Sequence, residues 1–217
     1  MRILTLRDLS MKSIALVTSG FQVPSSLNLS ILQDEIALEL MEEAVRLDPL
    51  STAMNHFLGN VYIFNERYDD GIRQADKLLE IDPNMRSAIE LKGWATGFKK
   101  NWEEAIILFK EVYRLTGHPL KGLMPMGFAY GMAGKKEEAM ECMRKIEQRQ
   151  IEDPNSVVYT DLSAISFAVG DYDKMFSYAE KAIEKRTAPV VFFLEYPLFQ
   201  KIKTDPRFEE VRKKAGL

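Results

Sequence analysis

The stretch YDDGIRQADKLLEIDP, from Tyr68 to Pro83, decides the fold because similar stretches recur along the chain at one fixed spacing. It opens on an aromatic residue, carries the small residues Gly71 and Ala75 four positions apart, and closes on a proline. Pro49 precedes Pro83 by 34 positions (83 − 49). A period of about 34 residues is typical of repeats in which each unit is a helix-turn-helix pair. The sequence therefore predicts an all-α fold built from repeated helical pairs.

The same pattern of small and aromatic residues is found on both sides of this stretch. Leu58-Gly59 and Tyr62 precede it within the same unit. Residues of the same types recur at matching positions in the later units, namely Gly93, Trp102, Ala105 and Phe109, then Met126, Gly127, Tyr130, Gly134, Ala139 and Met143, then Tyr159, Leu162, Gly170, Tyr172, Ala179 and Ala182. Small residues let the two helices of a unit approach closely, and aromatic residues fill the space between units. Since no unit buries its apolar face alone, neighbouring units are expected to share one core.

This pattern resembles the tetratricopeptide repeat, whose signature is W-x2-L-G-x2-Y, then A-x3-F, then P. The resemblance covers essentially the whole chain. It implies a right-handed α-α superhelix of about five helix-turn-helix units with a C-terminal capping segment. The predicted segments of this single domain are a divergent first helical pair at 1–50, repeats at 52–85, 86–119, 120–155 and 156–187, and a cap at 188–217.

Both ends of the chain are expected to add helices to the repeats. The apolar spacing predicts one helix over 3–17 and a second over 29–47. At the other end, Asp205 is expected to cap a short terminal helix and Pro206 to be its first residue. A terminal repeat needs a cover over its exposed face. The apolar residues available for this cover are Phe192, Phe193, Leu198, Phe199 and Phe208.

The last stretch, PLFQKIKTDPRFEEVRKKAGL from Pro197 to Leu217, carries a second resemblance. It is similar to the tail that closes the repeat module of many bacterial regulators, in which the module follows an adenylate-cyclase-like domain or a winged-helix domain. Tyr196 stands where those tails carry their first aspartate. The resemblance implies a regulatory or scaffold module of a bacterial signalling system, either standing alone or separated from a larger regulator.

In the tetratricopeptide family, the first helix of each unit lines the concave face on which protein partners bind. Carrying that register onto this chain gives the candidate partner-binding residues His56, Asn60, Phe64, Glu90, Trp94, Phe98, Met124, Phe128, Met132 and Phe167. Most of them are aromatic residues or methionine, which suit an adaptable interaction surface. The resemblance and this composition together predict a groove for an apolar or amphipathic segment of a protein partner.

Other readings of the same residues stay open. These side chains could pack against their neighbours, or the C-terminal tail could fold back over them. A self-associating structural module that forms a homodimer is the alternative function. A clamp for a terminal carboxylate, which some relatives carry on this face, is disfavoured because His56 stands where a lysine is expected and Leu91 where a polar residue is expected.

Pro125 falls inside the first helix of its predicted repeat. Proline has no backbone N–H and disrupts a helix interior. We therefore expect the helix to start late or to kink at this position.

Composition argues against several other classes of protein. The net charge of −3 provides no broad basic surface for nucleic acid. No stretch approaches the roughly 18 apolar residues of a membrane-spanning helix. The single cysteine, Cys142, cannot form an internal disulfide and fits a reducing compartment. We expect a cytoplasmic protein.

The chain offers little for catalysis or for cofactor binding. The two histidines, His56 and His118, lie in different units, so neither a metal site nor a pair with Cys142 can be drawn. The nucleotide-binding motifs G-x-x-x-x-G-K-[ST] and G-x-G-x-x-G are missing from the sequence. We expect no enzymatic activity, no cofactor and no metal, with His118 in a loop and Cys142 buried as a small apolar residue.

Overall fold

The computed structural model describes residues 35–118, 122–153, 158–185 and 197–215. Within these ranges every regular element is helical, so the predicted all-α class is confirmed. The helices are α1 (Glu35–Leu47), α2 (Thr52–Phe64), α3 (Tyr68–Ile81), α4 (Arg86–Phe98), α5 (Trp102–Thr116), α6 (Leu123–Met132), α7 (Lys136–Glu152), α8 (Tyr159–Ala168), α9 (Tyr172–Glu184), a 3-10 helix (Pro197–Ile202) and α10 (Pro206–Lys214).

Three of the predictions concern the ends of the chain. The helix expected over 3–17 and the cap residues Phe192 and Phe193 lie outside the described residues. Helix α1 ends at Leu47, where the sequence predicted an end.

The chain divides into two compact units, Met1–Lys99 and Lys100–Leu217, which we call the N-terminal unit and the C-terminal unit. The boundary falls inside the predicted repeat 86–119, between α4 and α5. In the N-terminal unit α3 packs against both α2 and α4, and α1 packs against α2. In the C-terminal unit α6 packs against α5, α7 and α8, and α8 packs against α9.

Helix α3 contains most of the stretch that revealed the repeat. Its buried residues are Gly71, Gln74, Ala75 and Leu78, at positions i, i+3, i+4 and i+7. This spacing places all four on one stripe of the helix, and two aspartates in the first turn favour the positive end of the helix dipole. The absence of a side chain on Gly71 matters because an added Cβ would lie 3.2 Å from Ile63 on α2.

A buried amide pair replaces the leading aromatic residue of the repeat signature in α2. Asn55 stands three positions before Leu58, where the signature has tryptophan, and it is 3 % exposed. Its Nδ2 donates to the carbonyl oxygens of Pro49, at 2.9 Å, and Ser51, at 2.8 Å. Its Oδ1 accepts a hydrogen bond from the side chain of Gln74 on α3. The two amides therefore link the first and second helices of the same repeat.

The C-terminal unit depends on glycines where its helices cross. A Cβ added to Gly127 on α6 would lie 2.8 Å from both Cys142 on α7 and Ile165 on α8. A Cβ added to Gly131 would lie 2.8 Å from the Cβ and 2.9 Å from the carbonyl carbon of Ala168. Contacts this short are not available to a real side chain, so the close packing of α6 on α8 requires glycine.

Helix α6 starts late, as the position of Pro125 predicts. It begins at Leu123, after Gly122 in a left-handed conformation with φ 96°. Pro125 is thus the third residue of the helix, where a backbone N–H would have no partner within the helix. The proline ring is tolerated here without loss of a helical hydrogen bond.

The terminal helix α10 has the predicted start. Asp205 is its N-cap and accepts a hydrogen bond from the backbone N–H of Arg207 at 3.0 Å, and Pro206 is its first residue. Helix α10 packs against α9, and Phe208 is fully buried. The described part of the cap therefore covers the last helical pair.

Candidate partner-binding face

Six of the predicted partner-binding residues lie in the N-terminal unit, on two helices that pack against each other. They are His56, Asn60 and Phe64 on α2, and Glu90, Trp94 and Phe98 on α4. Each set of three is spaced by four residues, so each forms one row along its helix. We call these six residues the N-terminal face. Phe64 is 3 % exposed and belongs to the core, whereas the other five are half-buried.

The aromatic part of the N-terminal face is a short ladder of rings. Trp94 stacks on Phe98 with ring centroids 5.8 Å apart and an angle of 24° between the rings. Phe98 in turn contacts Tyr68, the first residue of α3, at 6.0 Å. All three side chains are half-buried. Tyr68 was not among the predicted site residues, although its position at a turn beside α4 places it next to them.

Glu90 introduces a carboxylate into this aromatic surface. Its side chain is 31 % exposed, and burial raises its pKa. Two groups favour its charged form: the positive charge of Arg86, with Nη1 3.3 Å from Oε2, and a hydrogen bond from the Trp94 side chain. The Trp94 side chain and the Glu90 carboxylate therefore lie within hydrogen-bonding reach of each other on α4.

His56 and Asn60 form the polar, uncharged part of the N-terminal face. Burial lowers the pKa of His56, and the charge of Arg86 acts in the same direction, so the ring is neutral at pH 7. The ring donates a hydrogen bond to the backbone carbonyl of Ser87, which links α2 to the first turn of α4. Nδ2 of Asn60 donates to the carbonyl oxygen of His56 at 3.0 Å and lies 3.5 Å from its Nδ1.

The remaining four predicted residues lie in the C-terminal unit, and two of them are core residues. Phe128 on α6 is 1 % exposed and Phe167 on α8 is 5 % exposed. Their rings stack at 6.4 Å with an angle of 12°, and Trp102 contacts Phe128 at 5.8 Å. Phe199 of the C-terminal tail lies 4.1 Å from the Phe167 ring. The sequence left open that these side chains pack against their neighbours or are covered by the C-terminal tail. Phe128 packs against its neighbours, and the tail residue Phe199 contacts Phe167.

The two predicted methionines of the C-terminal unit, Met124 and Met132, are half-buried. They lie four residues before and four residues after Phe128, on the same row of α6. The buried residue Phe128 lies between the two methionines on this row. Within the described helix, the row therefore has no accessible aromatic ring comparable to the ladder of the N-terminal face.

A further half-buried carboxylate, which the sequence reasoning missed, lies on α8. Asp161 has no hydrogen bond or ion pair within the described structure, and burial raises its pKa to about 7. A signal was present, since Asp161 is the only charged residue of α8, whose sequence is YTDLSAISFA. An acidic residue in a helix that is otherwise apolar or hydroxyl-bearing is expected to be desolvated.

The cysteine and the second histidine of the described chain lie in the core and in a loop, respectively. Cys142 is 3 % exposed and burial raises its pKa to about 11, so it is a protonated thiol packed in the core, as predicted. His118 is exposed in the loop after α5, also as predicted. Among the described residues, no group of three His, Cys, Asp or Glu side chains is placed to hold a metal ion.

A cleft of about 650 Å³ lies beside α7 in the C-terminal unit, outside the predicted face. Its charged residues are paired along α7, with Arg144 2.8 Å from Glu141 and Arg149 3.2 Å from Asp153. These short-range pairs are typical of a solvated helix surface.

One segment of the chain matches the model of a known repeat family. Residues 52–85 match the tetratricopeptide repeat. This match contains α2 and α3, and so includes the α2 row of the N-terminal face. Comparison with curated protein sequences gives no match.

Comparison with solved structures gives a likeness in fold over most of the chain. The crystal structure of TTC0263, a thermophilic TPR protein in Thermus thermophilus, aligns with a TM-score of 0.60 and 14% identity over 88% of this chain and 97% of that one. Two crystal structures of MamA align with TM-scores of 0.46 and 0.47, at 20% and 17% identity, over 69% and 82% of this chain and 86% and 92% of theirs. The likeness to TTC0263 shows a helical repeat fold. Among the described residues, no helix combines the length and apolar character needed to cross a membrane.

Proposed function

We propose that this chain is a non-catalytic protein–protein interaction module, the regulatory or scaffold part of a cytoplasmic bacterial signalling system. The N-terminal face would bind an apolar or amphipathic segment of a protein partner. The observation that carries the proposal is the half-buried Trp94–Phe98 ladder, bordered by the polar side chains of Glu90, His56 and Asn60. An apolar centre with a polar rim is the usual anatomy of a protein interface.

The geometry of the face also suits binding. Its five accessible residues stand on two packed helices, so little order has to be gained when a partner binds. Trp94 is held by its stack on Phe98 and by its hydrogen bond to Glu90. Large aromatic side chains in fixed positions are the residues that most often dominate interface energies.

Truncation of Trp94 tests the proposal. Peptides selected on the wild-type protein from a random display library would serve as probes, and their affinities would be measured by calorimetry. Trp94→Ala is expected to weaken binding by more than about 1 kcal/mol while the helical circular dichroism signal is kept. Ile107→Ala, at a position 67% exposed outside the face, is the matched control and should leave affinity unchanged. Selected peptides that bind Trp94→Ala as tightly as wild type would contradict the proposal.

Self-association is a second candidate function, favoured by a different observation. Among the described residues of the N-terminal unit, three large apolar side chains are exposed outside the N-terminal face: Leu47 by 74%, Leu50 by 79% and Ile81 by 51%. Burial of such residues against a second copy would stabilise a homodimer. Light scattering at several concentrations tests this, since a homodimer through these residues should be lost in Leu50→Glu, and a monomer at all concentrations rules it out.

A further inference from the structure

The bound segment can be specified further from the charge on the N-terminal face. We propose that it presents a basic side chain, arginine or lysine, whose charged group pairs with Glu90 and whose methylene stem lies along Trp94. This inference rests on the proposed function, because it names the chemistry of the partner at the same face.

The Glu90 carboxylate has unused capacity to accept hydrogen bonds. An ionised carboxylate offers about four lone-pair directions. The Trp94 side chain and Arg86 occupy two of them. The contact with Arg86 is a single one at 3.3 Å, longer than the roughly 2.7–2.9 Å of a strong charge-assisted bond, and the Arg86 side chain is 48% exposed. A second cation can therefore be accommodated.

The surroundings of Glu90 favour a cation with an apolar stem over a small ion. Trp94, Phe98 and Tyr68 form a continuous row of half-buried rings that begins one helical turn after Glu90. Arginine and lysine bury their methylene groups along apolar surface while their charged ends stay polar. Their charged groups are also attracted to the face of a tryptophan ring. Burial raises the pKa of Glu90, and a paired cation would offset that unfavourable desolvation.

Helix α2 adds no positive charge opposite Glu90. His56 is neutral at pH 7 because burial lowers its pKa, and the Asn60 amide nitrogen is bonded to the His56 carbonyl oxygen. Within the described part of the chain, the cation paired with this carboxylate is Arg86, on the same helix. An acidic ligand would approach Glu90 with like charge, so the face discriminates in favour of basic segments.

The experiment uses the full chain and a display library of random peptides. Peptides selected on wild type are expected to be enriched in arginine or lysine among apolar residues. Glu90→Gln is expected to weaken their binding about tenfold or more, because one charge-assisted hydrogen bond is lost. Glutamine at this position still offers an oxygen to the indole N–H of Trp94, so the ring orientation is kept. Glu80→Gln, at an exposed position on α3, removes the same charge and should leave affinity unchanged.

A double-mutant cycle then identifies the pair directly. The peptide arginine is replaced by citrulline, which has nearly the same shape but no charge, or a peptide lysine by norleucine. If this side chain pairs with Glu90, its replacement should cost about tenfold on wild type and much less on Glu90→Gln.

The outcomes separate this inference from the proposed function. Peptides that lose affinity in Trp94→Ala, but show no enrichment of basic residues and no response to Glu90→Gln, overturn the inference and leave the proposed function in place. Additive effects in the double-mutant cycle also overturn it. Peptides that are insensitive to Trp94→Ala overturn the proposed function, and with it the inference.

Discussion

Trp94 and Phe128 hold equivalent positions in two of the predicted repeats, 34 residues apart (128 − 94), one in each unit of the chain. Trp94 is half-buried in an aromatic ladder of the N-terminal unit, whereas Phe128 is 1 % exposed between Trp102 and Phe167. The repeat register fixes which helix face a residue occupies. Whether that face is a surface or a core depends on which other segments pack on it.

The largest predicted effect is a difference in unfolding free energy between alanine substitutions of Phe128 and Trp94. Phe128→Ala is expected to destabilise the C-terminal unit by about 3–5 kcal/mol, since it removes a fully buried ring and leaves a cavity. Trp94→Ala should cost no more than about half as much, because the ring is already in contact with solvent. Thermal unfolding monitored by circular dichroism would measure both. Equal losses would show that the two positions are buried alike and would break the comparison.

A second prediction concerns Asp161, the half-buried carboxylate of the C-terminal unit, and the dependence of stability on pH. Burial raises the pKa of Asp161 to about 7, so the folded protein holds the proton more tightly than the unfolded chain, whose ordinary value is 3.8. Stability should therefore fall as pH rises from about 4 to about 7. Asp161→Asn is expected to stabilise the protein by up to about 4 kcal/mol at pH 8 and by only a small fraction of that at pH 4.

The measurement for Asp161 is urea unfolding of wild type and variant at both pH values. Glu184→Gln, at an exposed position on α9, is the control and should change stability little at either pH. A stabilisation of Asp161→Asn that is the same at pH 4 and pH 8 would mean that the carboxylate does not carry a desolvation cost.

The smallest of the three effects concerns glycines. Gly131→Ala should destabilise by about 1–2 kcal/mol, because its Cβ would meet the backbone of Ala168 and the overpacking exceeds the gain of about 1 kcal/mol in helix propensity. The three atoms nearest to a Cβ at Gly59 are all side-chain carbons of Leu91, so Gly59→Ala should cost less, since a side chain can rotate away. Denaturant midpoints would compare the variants. A larger loss at Gly59 would show that the N-terminal unit is the more rigidly packed one.

The fold was largely predictable because its signals are local. The spacing of glycine, alanine and aromatic residues predicted the helices of the repeats, and Asp205-Pro206 predicted the start of the terminal helix. The late start of α6 is one of the two outcomes, a late start or a kink, that Pro125 predicted. Each of these signals acts within one or two helical turns, so sequence spacing is enough to interpret it.

The candidate site was only partly predictable because the solvent exposure of a side chain depends on residues that are distant in sequence. The register placed Phe128 and Phe167 correctly on α6 and α8, but their burial depends on Trp102 and on Phe199, a residue 32 positions after Phe167 (199 − 167). Sequence spacing does not indicate which tail residue returns to a given helix. The desolvation of Asp161 was missed although the sequence carried a signal, since Asp161 is the single charged residue of α8.

The buried amides of Asn55 and Gln74 have a consequence for how the chain folds. A protein of similar helices can pair a first helix with the wrong second helix. At the positions 34 and 68 residues after Asn55 stand Ile89 and Leu123, and at those after Gln74 stand Leu108 and Cys142. Exchange of partners would thus bury an amide without its hydrogen-bond partner, at a cost of about 1–3 kcal/mol. The hydrogen bond between Asn55 and Gln74 therefore favours the native pairing of α2 with α3 over pairing with the helices of other repeats.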